Sequence, residues 1–407
     1  MRIYRGLEGF HLFANVVGLN AEERAQRLAL LRESHMPFMV TEFYANLIAT
    51  AAQPDRDRLL NIVLPFRGLR HFSGRFDPYG NVKYRRDSMH FLQHKYAPTL
   101  LVHMYDFCIS NCQFCYKVNE IRHEKQSGFG FSAKIDAALS YIDGHPEINN
   151  VLYSGGDPAA MEVCRLIECM ARLLVHPSIR TVRFATKVLA YNPGYFLDAD
   201  LLAFLTRTNQ QPGKHITIIA QLNHPAEMSA DSRRALAALA HAGVQVRGQP
   251  TLAAGINDDE DVLVRLHQEY IDHQIIPYYF TVFMPVRGVE QYGIRLHHAY
   301  AMMGHAHARL NGLEKKGVLL ASHDFGKFEI CGFLPDTWMP REIVLRWHER
   351  PFDSFLPRPL VERYPRDHQA LLLLKYDLER TYCIDHLFEQ NGLPFFDSEG
   401  NLRFSSA

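Results

Sequence analysis

The sequence carries no excess of charge of either sign: Lys and Arg number 44 together, and so do Asp and Glu. That balance offers no field to gather a polyanion. No nucleic acid or membrane partner is expected, and a small-molecule partner is. Long apolar runs are missing too. No stretch is apolar enough to span a bilayer, and Met1-Arg2-Ile3-Tyr4-Arg5 does not begin the apolar run of a secretory leader. The expectation is a cytoplasmic protein whose thiols stay reduced. Internal repeats and low-complexity segments are absent as well. Cysteine is scarce, at seven in 407 residues, yet three fall within eight positions, which in a reducing compartment reads as metal ligation rather than disulfide bonding. The 47% hydrophobic and 22% charged residues suit a folded core, and the length suits one elaborated domain or two to three smaller ones. A homo-oligomer is compatible with this composition.

Residues 1–98 read as a helical and irregular extension. Asn20-Ala21-Glu22-Glu23 is a capping-box helix start, residues 36–52 have helical spacing, and 54–96 are irregular and rich in Arg, Gly and aromatics. From residue 99 the texture changes. Short β-rich runs at 99–105, 150–154, 181–186, 215–222, 244–252 and 275–282 alternate with amphipathic stretches at 159–174, 198–206, 229–242 and 260–272. Strands alternating with helices imply a parallel sheet, because parallel neighbours need crossover connections. The expected fold is α/β: a partial (β/α)6 TIM-like barrel over 99–300, with chemistry at the C-terminal strand ends. Residues 301–407 form a C-terminal α+β extension, preceded by a His-rich helix at 296–313 and containing a short strand near 317–322.

Cys108-Ile-Ser-Asn-Cys112-Gln-Phe-Cys115 follows the first barrel strand. Three thiolates at this spacing can hold three irons of a [4Fe–4S] cubane and leave the fourth iron open. An open iron is what S-adenosylmethionine (SAM) chemistry requires. Structural zinc wants four ligands; His103 and His123 are the available fourth ones, and three ordinary buried cysteines are the bland alternative. Ser154-Gly155-Gly156-Asp157-Pro158 closes the second strand, where glycines admit close backbone approach to a ligand.

The triad, with Phe114 before its last cysteine, resembles the radical SAM signature, and the Ser-Gly-Gly-Asp-Pro run resembles that superfamily's SAM-binding glycine motif. The resemblance narrows along the chain. His94-Lys95-Tyr96, Ala185-Thr186-Lys187, Gln221-Leu222-Asn223-His224-Pro225-Ala226-Glu227 and Gln249-Pro-Thr-Leu-Ala-Ala-Gly-Ile-Asn257-Asp258 occur in order. Pro277-Tyr278-Tyr279, Gly326-Lys327 and Ile343-Val344-Leu345-Arg346 follow. From about residue 75 to 350 they are similar to the lysine 2,3-aminomutase family. The resemblance implies pyridoxal 5′-phosphate (PLP) beside the cluster and migration of an α-amino group to the β-carbon. It further implies an electron donor such as flavodoxin or ferredoxin. Lys327 matches the PLP-bearing lysine by position. The cofactor-binding set it implies is Ser154, Gly155, Gly156, Asp157, Lys95, Thr186, Gln221, Asn223 and Gln249.

The departures point at the substrate. His323-Asp324-Phe325-Gly326 stands where the family has a glycine run, and Lys95 and Thr99 replace two arginines. Lys117 replaces the Arg that pairs with the substrate carboxylate, and loses its bidentate fork. The two acidic positions that bind the distal amine of lysine become Met284 and Leu320. Without them a buried ammonium would be unpaired, so an amino acid other than lysine is expected. Structural readings stand beside these: Lys327 as a surface lysine, Gln249 as a barrel-interior hydrogen bonder, Asp157 as a helix cap. A PLP-independent radical SAM enzyme abstracting hydrogen from another small molecule is the alternative function. A non-catalytic iron–sulfur or zinc protein is the third, and it has no use for the glycine motif.

Overall fold

The computed structural model describes residues 1–68, 73–86, 89–119, 130–334, 340–366 and 371–404. His123 lies outside the described residues. The chain opens with an antiparallel pair, β1 (Ile3–Arg5) and β2 (Met39–Thr41), around the helices Gly6–Val16 and Ala21–Glu33. The capping box forms as expected, with Asn20 and Glu23 exchanging backbone-to-side-chain hydrogen bonds of 2.9 Å. The helix expected over 36–52 is shorter, Glu42–Thr50, because β2 intervenes and Thr41 caps it through the Tyr44 N–H. Residues 54–96, expected to be irregular, hold a helix (Asp55–Val63) and two strands, β3 (Arg85–Arg86) and β4 (Met89–Tyr96). Gln93, His94 and Lys95 of β4 are buried polar residues, so the strand shows no apolar alternation in sequence.

The core is an α/β assembly on a parallel-rich sheet. β5 (Thr99–Tyr105), β6 (Asn150–Gly155), β7 (Thr181–Thr186), β8 (His215–Ala220), β9 (Gln245–Gly248) and β11 (Ile275–Pro277) run parallel in that order, and β4 adds antiparallel to β5. One face of this sheet is apolar. Val102, Val151, Tyr153, Val182, Phe184 and Ile218 are all buried. On the other face, register sets Leu101, Leu152 and Arg183 in one row that lines a cavity.

Two of the six expected strands divide. Residues 244–252 become β9 and β10 (Thr251–Leu252); residues 275–282 become β11 and β12 (Tyr279–Val282). β10 and β12 join a second sheet, in the order β10-β12-β13-β14-β15-β16, with β13 (Val318–His323) parallel to β12. β14 (Gly326–Leu334), β15 (Glu342–Glu349) and β16 (Leu372–Lys375) complete it as an antiparallel meander. Pro250 marks the first step between sheets, since proline has no N–H to continue a ladder. The His-rich helix ends at Ala308 rather than 313. No helix among the described residues is long and apolar enough to cross a membrane.

The β13–β14 turn is fixed by buried charge. Arg75 pairs with Asp324 at 2.7 Å and with Asp385 at 2.9 Å, and Asp385 also meets His323 Nε2 at 2.9 Å. Burial pushes the Asp385 carboxyl up, but His323 and Arg75 outweigh it and hold its pKa below the ordinary range. Breaking such a pair leaves a buried charge alone. Asp385→Ala should therefore cost about 3–5 kcal/mol in urea unfolding. The same contribution is fully present above the ordinary Asp pKa and fades as pH falls through the acid range. An Asp385→Ala protein with wild-type unfolding midpoints across pH would contradict this account.

Candidate active site

The cysteine loop leaves the C-terminal end of β5 and is clasped by the N-terminal extension. Asn111 N donates to Met39 O at 2.8 Å and Asn111 Nδ2 to Pro37 O at 2.9 Å. Thr41 N donates to Ser110 Oγ at 3.0 Å, and Ser34 Oγ to Gln113 Oε1 at 3.0 Å. Cys108, Cys112 and Cys115 all face one cavity of about 220 Å³. Burial pushes the Cys108 thiol well up, and the neighbouring Asp157, Cys115 and Cys112 add to it. Burial likewise takes the Cys112 thiol to about 12, against Lys187 and a hydrogen bond from Tyr191.

Among the described residues, the one trio of metal-type ligand atoms lying within 4.8 Å of one another is His94, His145 and Glu147. Three thiols face the cavity, one short of the four ligands that a structural zinc takes. His103, a considered fourth ligand, does not line the cavity.

The glycine loop forms the facing wall. Gly155 has φ +110°, and a Cβ there would lie 2.3 Å from Tyr105 O; a Cβ on Gly156 would lie 2.2 Å from Phe107 O. The cradle is therefore closed to any side chain. Asp157 accepts from Ala159 N at 3.0 Å and Lys187 N at 2.7 Å, so the helix-cap reading of this residue holds while it also lines the cavity. Burial raises its carboxyl to about 6 against those bonds. Ser154, Thr186, Gln221 and Gln249 line the same cavity. Lys117 reaches the glycine loop, with Nζ 3.0 Å from Gly155 O and 3.3 Å from Ser154 Oγ.

A second cavity of about 210 Å³ shares walls with the first through Leu101, Leu152, Arg183, Gln221, Gln249 and Lys327. Lys327 Nζ sits 2.6 Å from Glu349 Oε2, near the ring faces of Tyr96 and Tyr279. Burial raises the Glu349 carboxyl, yet Lys327 outweighs it and the net shift is downward. Lys95 donates to His323 O at 2.7 Å and Tyr79 O at 3.2 Å, and burial lowers its ammonium to about 7.

Three expected site residues are not brought here. Asn223 lies outside both cavities, its Oδ1 accepting from Thr251 N at 2.8 Å and its carbonyl from Asn257 Nδ2 at 2.9 Å. It is fully buried. Met284 and Leu320 are buried and line neither cavity. Sequence reasoning missed Arg183, which donates to Asn150 Oδ1 at 2.8 Å, and Glu349. A charged residue inside an apolar strand was the available signal for Arg183.

No protein-family model matches the chain. A protein of Aquifex aeolicus named "Putative L-lysine 2,3-aminomutase" is 30% identical over 293 residues, spanning 72% of this chain and 77% of that one. The chain belongs to the lysine 2,3-aminomutase family. A glutamate 2,3-aminomutase of Clostridioides difficile is 26% identical over 219 residues, 54% of this chain and 50% of that one. Among solved structures, a radical SAM methyltransferase from Sphaerobacter thermophilus aligns with a TM-score of 0.38 and 15% identity over 56% of this chain and 68% of that one. Within this aminomutase family member, Lys95 is neutral or charged near pH 7 when folded, but stays charged to about 10.4 when unfolded. Stability should accordingly fall as pH drops from about 10 to about 7. Lys95→Met should flatten that slope in denaturant titrations, and an unchanged slope would refute the buried-amine reading.

Proposed function

We propose that the protein is a PLP-dependent radical SAM 2,3-aminomutase acting on an amino acid other than lysine. The observation that carries this is Lys327, an amine from β14 on the wall shared by the thiol-lined and glycine-lined cavity and its neighbour. When bound, the cluster and SAM supply a 5′-deoxyadenosyl radical that removes a substrate hydrogen, and PLP supplies the π-system that carries the migrating nitrogen. Cys108, Cys112 and Cys115 hold the cluster, and the closed cradle of Gly155 and Gly156 receives SAM through backbone groups. Ser154, Asp157, Thr186, Gln221 and Gln249 complete the cofactor walls. Lys327 anchors PLP, and Arg183 with Lys95 supplies positive charge for its phosphate. Lys117 faces the substrate carboxylate from beside the glycine loop. Strands β5 to β9 and β11 make a partial (β/α)6 barrel in this reading. Residues 1–98 cover the cysteine loop and 301–407 deliver Lys327. The electron comes from a low-potential donor of the flavodoxin or ferredoxin class.

The substrate reading rests on charge. Glu349 is the sole carboxylate among the described residues lining the second cavity, and Lys327 already engages it. The cavity thus offers a distal ammonium one carboxylate, against the two acidic positions that the family uses for lysine. One observation favours a PLP-independent radical SAM enzyme instead: Lys327 is ion-paired and Lys95 is tied to backbone carbonyls, so neither amine waits unengaged.

Two measurements decide. Protein reconstituted anaerobically with iron and sulfide, then reduced with dithionite, should release 5′-deoxyadenosine from SAM, and Cys112→Ala should abolish it; no product from wild type would sink both readings. Borohydride reduction with added PLP should place a pyridoxyl group on Lys327 in peptide mass maps. An unmodified Lys327 would transfer the case to the PLP-independent reading.

A further inference from the structure

Cys112 has a neighbour that the proposed chemistry does not use. The Tyr191 hydroxyl lies 3.0 Å from Cys112 Sγ, on a side chain only 2% exposed. Its position is fixed from several sides. Thr41 Oγ1 donates to Tyr191 O at 2.7 Å, and Tyr191 N donates to Lys187 O at 3.2 Å. The Tyr44 ring stands edge-on to the Tyr191 ring at 4.8 Å and 83°, and Tyr44 OH donates to Glu227 Oε1 at 2.9 Å. Lys187, whose Nζ is near the Tyr191 ring, pairs with the same Glu227 oxygen and donates to Gln221 O at 2.9 Å. Lys187 and Glu227 act on the cysteine with opposite sign, Lys187 the more strongly. Beside that charge, the Tyr191 hydroxyl is the group hydrogen-bonded to the sulfur.

An iron-bound cysteine is a thiolate and can only accept, so the tyrosine O–H must donate. Adding one electron to a cluster raises the negative charge its sulfurs carry, and a hydrogen bond to that charge strengthens. The bond thus stabilises the reduced form over the oxidised one, and hydrogen bonds to cluster sulfurs are an established lever on potential. We infer that Tyr191 is a positioning residue that raises the reduction potential of the cluster by donating to the Cys112 thiolate. The electron it eases in is the one a low-potential donor must deliver before SAM is cleaved. The inference rests on the reading that the three cysteines hold a [4Fe–4S] cluster.

The test is a redox titration of the reconstituted full chain, followed by the electron paramagnetic resonance signal of the reduced cluster. Tyr191→Phe keeps the ring and removes the donor. It should make reduction about tenfold less favourable at equilibrium, a fall of 59 mV for one electron, with iron and sulfide content unchanged. Site-specific replacement of Tyr191 by 3-fluorotyrosine makes the hydroxyl a stronger donor and should move the potential upward. An unchanged or raised potential in Tyr191→Phe overturns the inference. If that variant does not retain a cluster, the fluorotyrosine protein decides alone, and an unmoved or lowered potential there overturns it. Wild-type protein that binds no iron and sulfide would instead overturn the cluster reading itself.

Discussion

Two pieces of backbone pass each other where β6 runs out beneath the chain leaving β5, with room for hydrogen atoms and nothing larger. Gly155 and Gly156 stand at that crossing, each with a carbonyl where a Cβ would be. The close approach seats the cysteine loop and the glycine loop on one cavity. Move the strands apart by the width of a methyl group, and the thiols would no longer face the cradle. The buried Asp157 sits at the same junction and ties the end of β6 to the end of β7 through Lys187 N. Its raised pKa is the cost of burying that tie.

A second constraint governs the far wall. The family's glycine run is replaced by His323-Asp324-Phe325-Gly326, and the structure explains how a bulkier turn is tolerated. Asp324 and His323 face inward to Arg75 and Asp385, and Tyr84 donates to the Asp324 carbonyl. Only Gly326 keeps a conformation other residues avoid, with φ +124° and Glu349 O at 2.5 Å from a would-be Cβ. The turn that presents Lys327 is held by charge rather than by backbone freedom. Its anchor Asp385 lies 58 residues beyond Lys327 in sequence.

The elements legible in the sequence were those with local causes. Asn20 and Glu23 announced a helix start, β-rich runs announced six strands, and the cysteine spacing with the glycine run announced the first cavity. What stayed hidden depends on distant partners. The Arg183 side chain looks like a surface charge until register sets it beside Leu152, facing the cavity. Glu349 has no meaning until β15 pairs with β14 and brings it to Lys327. Asn223 shows the converse: a residue inside a recognisable motif holds the Thr251 N–H through its side chain, while the Asn257 side chain donates to its carbonyl. β4 was unreadable because Gln93, His94 and Lys95 are buried along with Phe91 and Leu92, which leaves no apolar alternation.

The two strands that divide at Pro250 and Tyr278 begin in one sheet and finish in the other. They act as stitches, and a stitched fabric has no seam. The lysine-bearing meander cannot be exchanged as a cassette at residues 250 or 278, because each half would inherit a strand fragment whose neighbours belong to the other. The first place to join a foreign meander without cutting a shared strand is after β12, ahead of the helix that begins at Leu296. Natural or engineered recombination among relatives would find its tolerated crossover there.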